Sequence, residues 1–523
     1  MEIKKEIINL RSKDVRLNSN VCAEGDIIVP DIKPDIREIL LADAVATITS
    51  EEYKNGKLYI SGKVNFTVLY KPETEDGECV KSIKTSIDFS ESADISGGED
   101  LRFYADAKTE HIGFTLVNSR KLSVKVIVSV EINGYKDETF SPISEITDCC
   151  AQSKCRGYNI YMPVADVKEE IQISDFLTVP ENMPDIDEIL KVEAFASGGE
   201  CKVMNGKVMV KGTLNTNTLY RPTDASIPLM CAYHQIPFTE IIEAEGTDEN
   251  SVANVSFCVC DTSAQARGDM NGDTKIISAE FLVNARLKVS KTVDKRVVDD
   301  CYGINKMIKT EKENVKILEF VTADRTGFSE TQQVKMPKNS GLGEIVSVSI
   351  KPMVRDTYIK DGEVCADGTL VSFLLYTEDG KTNEVKSAVT ESDFTFKRAV
   401  RGLDRNKNDL MIECDINAEE AHADKVNSET AEVKAQLIAN FKVLKTNEIR
   451  LIKECEMYEK EAEKETPCGL VIYFTKEGDT LWDVAKRYET TTEKIKRANA
   501  MEDKTSEDEK LMSGRRILIP KAV

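Results

Sequence analysis

The sequence predicts a mainly β fold: three tandem antiparallel β-sandwich-like repeat domains followed by a small α+β domain of order βααβ. Three observations carry that expectation. A block of residues recurs at a fixed displacement along the chain. Each copy ends in a long run whose apolar residues alternate with polar ones, the period of a strand with one buried face. After Leu470 the pattern changes to short strand, helix, helix and short strand.

Each repeat opens on a Pro-Asp-Ile box. VPDIKPDIREIL, Val29 to Leu40, returns as VPENMPDIDEIL, Val179 to Leu190, and Pro34 and Pro184 set the displacement at 150. The same step carries Asn55-Gly56-Lys57 onto Asn205-Gly206-Lys207, Gly62 onto Gly212, and Leu69-Tyr70-Lys71-Pro72 onto Leu219-Tyr220-Arg221-Pro222. A third copy is weaker. Asp361-Gly362-Glu363, Gly368 and Leu375-Tyr376 lie 156 residues beyond the second copy, and MPKNSGLGEIV (Met336 to Val346) replaces the box. With Asp35 or Asp185 placed to cap and an I-x-x-I-L spacing behind it, the box predicts a short helix near the start of each domain. The N-G and D-G pairs predict tight hairpins.

The alternating runs come next: Leu122 to Ile132, Ala279 to Val289 and Ala431 to Val443. Val126, Val283 and Leu437 are expected on their inward faces. Asp269-x-Asn271-x-Asp273 resembles the start of a calcium loop, but Thr274 stands where the glycine is needed, so a hairpin turn is expected instead. Cys150, Cys301 and Cys455 close the three repeats at similar places and point to one shared packing position. These marks divide the chain into 1–155, 156–310 and 311–456, a charged linker at 457–469 built on EKEAEKETP, and a terminal domain at 470–523.

Composition narrows the function. The chain has 523 residues and a formal charge of −21; its body holds 59 basic against 81 acidic residues, and the part from Leu470 onward 11 against 10. So acidic a body disfavours nucleic acid and anionic membranes, which recruit basic faces. MEIKKEIINLRSKDVRLNS lacks an apolar signal core, and no run of about 18 apolar residues occurs, so a soluble cytoplasmic protein is expected. The fourteen cysteines are dispersed. Cys149-Cys150-x4-Cys155 and Cys258-x-Cys260 lack a second knuckle and a nearby histidine, so packing rather than metal is expected.

Catalytic signatures are missing as well. H-E-x-x-H, G-x-S-x-G and a P-loop do not occur, and only His111, His234 and His422 could serve as imidazole bases. Pairs such as Glu51-Glu52 and Glu419-Glu420 read as a solvated acidic face. No catalytic residue, cofactor or metal is expected, and an uncharacterised enzyme ranks third among the readings.

The terminal domain is the most specific feature. A strand from Val471 to Phe474 runs into Gly478-Asp479-Thr480, where Asp479 or Thr480 can cap the following helix. Leu481, Val484, Ala485 and Tyr488 keep helical spacing, and Ile495 and Ala498 mark a second helix ending near Asn499. Gly514 and Ile517-Leu518-Ile519-Pro520 close on a strand. GDTLW at the first turn and G-x-x-I-x-I-P at the end resemble a LysM domain. That resemblance implies a ligand groove at Gly478, Asp479, Thr480, Leu481 and Trp482, with Asn499, Met501 and Gly514 across from them. It also implies N-acetylglucosamine chains as a ligand class. The acidic stretch MEDKTSEDEK, Met501 to Lys510, departs from that pattern. Trp482, the single tryptophan, reads as core or groove wall rather than a sugar-stacking platform.

Tandem β repeats with this box, ahead of a LysM tail, resemble the SPOCS-domain proteins of endospore-forming bacteria. The resemblance implies a non-enzymatic sporulation scaffold in the mother-cell cytoplasm, acting at the forespore surface in spore coat assembly. Its implied partners are a SpoIVA-like coat ATPase, held through the LysM domain, and other coat proteins. A peptidoglycan-binding wall module is the alternative.

Overall fold

The structure, a computed structural model, describes residues 2–73, 79–95, 101–270, 272–338, 340–400, 409–460, 469–501 and 508–520. The first part of the chain forms β1 (Glu2–Lys5), β2 (Ile8–Ile28), β3 (Ile36–Lys54), β4 (Lys57–Pro72), β5 (Lys81–Asp94), β6 (Arg102–Asn118), β7 (Lys121–Phe140) and β8 (Ile143–Thr147). Two three-stranded antiparallel sheets result, in the orders β3-β4-β5 and β2-β7-β6, and β1 pairs with β8. The same plan recurs with β9 (Ala151–Thr178), β10 (Ile186–Met204), β11 (Lys207–Pro222), β12 (Met230–Glu243), β13 (Val252–Arg267) and β14 (Ile276–Gly303), in sheets β10-β11-β12 and β13-β14-β9. It recurs again with β15 (Lys306–Lys335), β16 (Leu342–Lys360), β17 (Glu363–Glu378), β18 (Lys381–Ala399), β19 (Leu410–Asn427) and β20 (Thr430–Glu459), in sheets β16-β17-β18 and β15-β20-β19.

The alternating runs are the central strands β7, β14 and β20. Their inward residues seal the space between each pair of sheets, and Val126, Val283 and Leu437 are fully buried. The hairpins fall where the N-G and D-G pairs stand. Asn55 and Gly56 take φ of 51° and 81°, and Asp361 and Gly362 take 54° and 82°, the left-handed pair that matches strand twist. Asp269 and Asp273 sit in the connection between β13 and β14, where the Asp269 carboxylate accepts the Asp273 N–H at 2.9 Å. Asn271 lies outside the described residues.

The Pro-Asp-Ile box is not helical, which corrects the expectation of a short helix. Ile36 and Ile186 begin strands β3 and β10. The register shifts between Ile36 and Glu38 and again between Ile39 and Leu41, with equivalent shifts in β10. Each bulge adds one residue against the partner strand, so a period-two pattern acquires helix-like gaps. Asp35 therefore caps nothing. Its carboxylate accepts from Ser119 Oγ at 2.8 Å and Arg120 Nη1 at 2.7 Å, tying the box to the β6–β7 turn.

Two repeat anchors acquire a cause. The fully buried Tyr70 donates its hydroxyl proton to Pro34 O at 3.0 Å, and Tyr220 does the same to Pro184 O at 3.1 Å. In the third repeat, which lacks the box, Tyr376 bonds Ser340 Oγ at 2.7 Å instead. Gly62, Gly212 and Gly368 lie opposite Phe89, Phe238 and Phe394 on the neighbouring strands. A Cβ at any of the three would collide with that ring.

Among the described residues, the repeats meet one another in three apolar clusters. Leu40, Leu41 and Leu69 of the first join Leu190 and Leu219 of the second and Leu375 of the third. Ile8 and Leu10 likewise join Ile160, Val297, Val315 and Leu451. The last cluster packs Ile143 and Ile146 of the first with Val298 and Cys301 of the second and Ile452 and Cys455 of the third. Charges register the first junction: Asp43 is bonded by Lys191 of the second repeat, at 2.8 Å, and by Lys351 of the third. Burial alone would push the Asp43 carboxyl up, but the two ammonium groups override it and hold it far below the ordinary carboxylate range. A second junction centres on Glu413, held down to about 2 against its burial by Lys442 and Lys288. Here the Arg286 guanidinium also lies 3.0 Å above the Tyr104 ring, a cation over an aromatic face.

Candidate functional site in the terminal domain

Strand β21 (Leu470–Phe474) leads into helix α1 (Leu481–Arg487), then α2 (Thr492–Ala498) and β22 (Arg516–Pro520), which pairs antiparallel with β21. The expected order is found. Thr480, not Asp479, is the N-cap of α1: it accepts the Asp483 N–H at 3.1 Å, and Asp483 reaches back to the Thr480 N–H, a reciprocal capping box. Thr491 caps α2 by accepting the Lys494 N–H at 3.1 Å, without a reciprocal bond.

Asp479 has another task. It is buried, accepts the Tyr473 hydroxyl at 2.5 Å and the Lys476 N–H at 2.8 Å, and lies 3.4 Å from Arg487. Burial opposes ionisation, yet these donors hold its carboxyl below the ordinary value. Asn499 is similarly spent. Its amide nitrogen donates to Ile495 O and Leu518 O at 2.8 and 2.7 Å, and its oxygen accepts the Leu518 N–H at 2.8 Å, stapling the end of α2 to β22. Leu481 is fully buried, and Met501 packs half-buried against the same core. Gly478, at φ 90°, is exposed; Gly514, at φ 79°, donates to Thr475 O at 2.8 Å and forms the turn before β22.

The two sides of the implied groove do come together. Thr480 bridges Lys510, and Leu511 N donates to Asp479 O at 2.8 Å, so the chain following α2 returns beside the β21–α1 turn. Residues 502–507 of the acidic stretch lie outside the described residues, as do 461–468 of the charged linker. Asp508 and Glu509 are exposed.

Trp482 turns away from this groove toward the second repeat. Its indole Nε1 donates to Asp300 Oδ2 at 2.9 Å, and its ring meets Tyr302 edge-on with centroids 5.0 Å apart. Lys486 Nζ bonds both oxygens of Asp300 at 2.7 and 2.6 Å. The Tyr302 hydroxyl donates to Thr490 O at 2.6 Å, and Tyr302 and Ile304 join the terminal domain's own apolar core. The tail is therefore docked, where the charged linker had implied freedom. Asp300, Tyr302, Ile304 and Lys154, which contacts Asp508, were not singled out in the sequence. One signal was present: beside the repeat-closing cysteines only the second repeat has an acid and an aromatic, Asp300 and Tyr302, where the first has Cys149 and Ala151 and the third Glu454 and Glu456.

Those cysteines share a packing position only in part. Cys301 and Cys455 lie buried with sulfurs 3.9 Å apart, and burial pushes the Cys301 thiol up to about 12. Cys150 is half-buried beside Cys149 instead, its sulfur 3.7 Å away. Among the described residues, Asp148, Cys149 and Cys150 are the side chains grouped closely enough to hold an ion, within 4.8 Å of one another. Asp148 already accepts the Cys150 N–H at 2.8 Å. Where the first sheets of the repeats meet, a cavity of about 20 Å³ lined by Leu41, Lys191, Glu193 and Ser347 has room for a single water. No described helix is long and apolar enough to cross a membrane.

Comparison with known families agrees with this architecture. The model described as SipL, SPOCS domain, matches residues 35–117 and 185–267, which run from the Pro-Asp-Ile box through β6 and through β13. The LysM domain model matches residues 473–520. No curated protein and no solved structure matches the chain. Both matched families are non-catalytic. The chain is thus a sporulation-related protein that carries two SipL-type SPOCS domains and, behind them, a LysM domain.

Proposed function

We propose that the chain is a non-enzymatic adaptor in spore coat assembly at the forespore surface. Three repeats, at 1–155, 156–310 and 311–456, form its scaffold, and the LysM domain at 470–523 binds a SpoIVA-like coat ATPase. The carrying observation is that the two polar side chains best placed to bind a sugar in the groove, Asp479 and Asn499, are already used by the fold. A sugar site needs convergent donors and acceptors left free for the ligand. What the described surface offers instead is an exposed Met512 among charges of both signs, Asp508, Glu509, Lys510 and Arg515, with Met501 half-buried beside them, features suited to a protein partner. Gly478, Thr480, Leu481 and Gly514 complete the proposed site as its frame, while Trp482 faces the second repeat.

The LysM match itself favours a second reading, a module binding N-acetylglucosamine chains. Immobilised full-length chain offered a purified SpoIVA-like ATPase and, separately, peptidoglycan separates the two. Retention of the ATPase alone is expected; retention of peptidoglycan alone installs the wall-binding reading. Incubation with ATP or with glycan should leave both intact, and hydrolysis abolished by a single substitution would overturn the non-enzymatic assignment.

A further inference from the structure

The face of α1 that carries Trp482 is covered by the chain's own second repeat. The contact has the composition of a specific interface rather than a casual touch. An aromatic pair, a carboxylate shared by an indole N–H and an ammonium group, and a tyrosine hydroxyl bonded to a backbone carbonyl all converge within a few residues. Two ion pairs lie at its rim, Lys460 with Glu489 at 2.6 Å and Lys154 with Asp508. Lys154 also sits 6.0 Å from the Trp482 ring centroid, so one body side chain spans from α1 to the loop bordering the groove. The first and third repeats could not hold the tail this way. Ile146 of the first and Cys455 of the third pack where Cys301 does, and their neighbours are Glu145 and Thr147 in the first and Glu454 and Glu456 in the third, so neither places an aromatic beside the acid.

We propose that the Asp300–Tyr302 surface of the second repeat is a docking site for the LysM domain that competes with its protein partner, so that the tail binds fully only when released. This rests on the reading of the LysM domain as the partner-binding element. A partner that contacts Trp482, Lys486 or Asp508 meets them already occupied, and its apparent affinity falls by the fraction of chains that are undocked. With docked chains outnumbering free ones by about ten to one, apparent affinity falls about tenfold.

Trp482 is the only tryptophan, so intrinsic fluorescence of the full-length chain reports docking directly. Asp300→Lys places a like charge before Lys486, and Tyr302→Ala removes the aromatic partner. Both should shift the emission to the red and increase quenching by acrylamide, while circular dichroism of the β body stays unchanged. Lys486→Glu alone should do the same, and combined with Asp300→Lys it should recover part of the docked emission, because the reversed ion pair re-forms although the new ammonium group cannot accept the Trp482 N–H; simple misfolding would give no such rescue. Binding is then measured with a purified SpoIVA-like ATPase as probe. Undocked Asp300→Lys should bind about tenfold more tightly than wild type. Equal quenching in wild type and Asp300→Lys, or an undocked variant binding the ATPase no better than wild type, overturns the proposal. Failure of wild type and every undocked variant to bind any ATPase would instead remove the partner assignment on which it rests.

Discussion

The β body and the LysM tail solve the same packing problem at different scales. Each repeat encloses its own core between two three-stranded sheets, with a central strand of up to thirty residues supplying the inner face. The described residues of the tail form two five-residue strands and two seven-residue helices, and its core takes in Tyr302 and Ile304 from the body. The fraction of surface buried on folding rises with domain size, so a domain this small gains by borrowing apolar surface from a neighbour. The body is held by long-range sheet pairing, the tail by caps, staples and a contact surface. Substitutions in the two should leave different signatures.

The largest effect is expected in the body. Asp43→Ala leaves the buried Lys191 with Glu193 as its remaining partner and the partly solvated Lys351 without Asp43, so the cost should fall at the lower end of the range for breaking a buried pair, about 3 kcal/mol. Urea unfolding should show that loss with the tail transition little altered; an unchanged body midpoint would show that the junction is wet. Gly62→Ala drives a methyl into the Phe89 ring and should cost about 1–3 kcal/mol, with Gly62→Ala/Phe89→Leu partly restored. Thr480→Ala removes the α1 cap, for about 1 kcal/mol, and should lower only the tail's thermal midpoint. Tyr220→Phe deletes the proton given to Pro184 O and should cost about 0.5–1.5 kcal/mol in the body. Hydrogen exchange by segment would locate each loss.

The smallest expected effect concerns pH. Burial alone would push the Asp300 carboxyl up, but Lys486 and the Trp482 N–H, together with Lys312, hold it below its ordinary value. A carboxylate depressed in the docked state stabilises that state at and above the ordinary aspartate range, and the contribution vanishes only as pH falls through the depressed value. Trp482 emission should therefore be flat from about pH 7 to 5 and shift only below the usual aspartate range. A transition near neutral pH would sink the assignment of Asp300 as the charged partner.

The alternating strands β7, β14 and β20 were legible in the sequence because period two survives any tertiary arrangement that wets one face. The Asn55-Gly56 and Asp361-Gly362 hairpins were legible because the turn demands a backbone few residues adopt. The Pro-Asp-Ile box misled because two bulges in quick succession rephase a strand into helical spacing. Gly62, Gly212 and Gly368 were visible as a repeated mark, but their cause lies in a phenylalanine one strand away. The LysM elements were readable locally. Its docking was not, since Asp300 and Trp482 stand 182 residues apart and neither shows a pattern that names the other.

Each repeat touches both of the others: Asp43 with Lys191 and Lys351, and Arg325 of the third with Gly198 O of the second at 2.5 Å. Three similar modules joined head to tail could in principle add a fourth and continue as a filament, but here the contacts close within a single chain. Covalent connection ties the LysM domain to the β repeats that precede it in this chain. A polymer that recruits this protein through that domain would carry a fixed load of β scaffold at each site it fills, and that load would not drift with protein concentration.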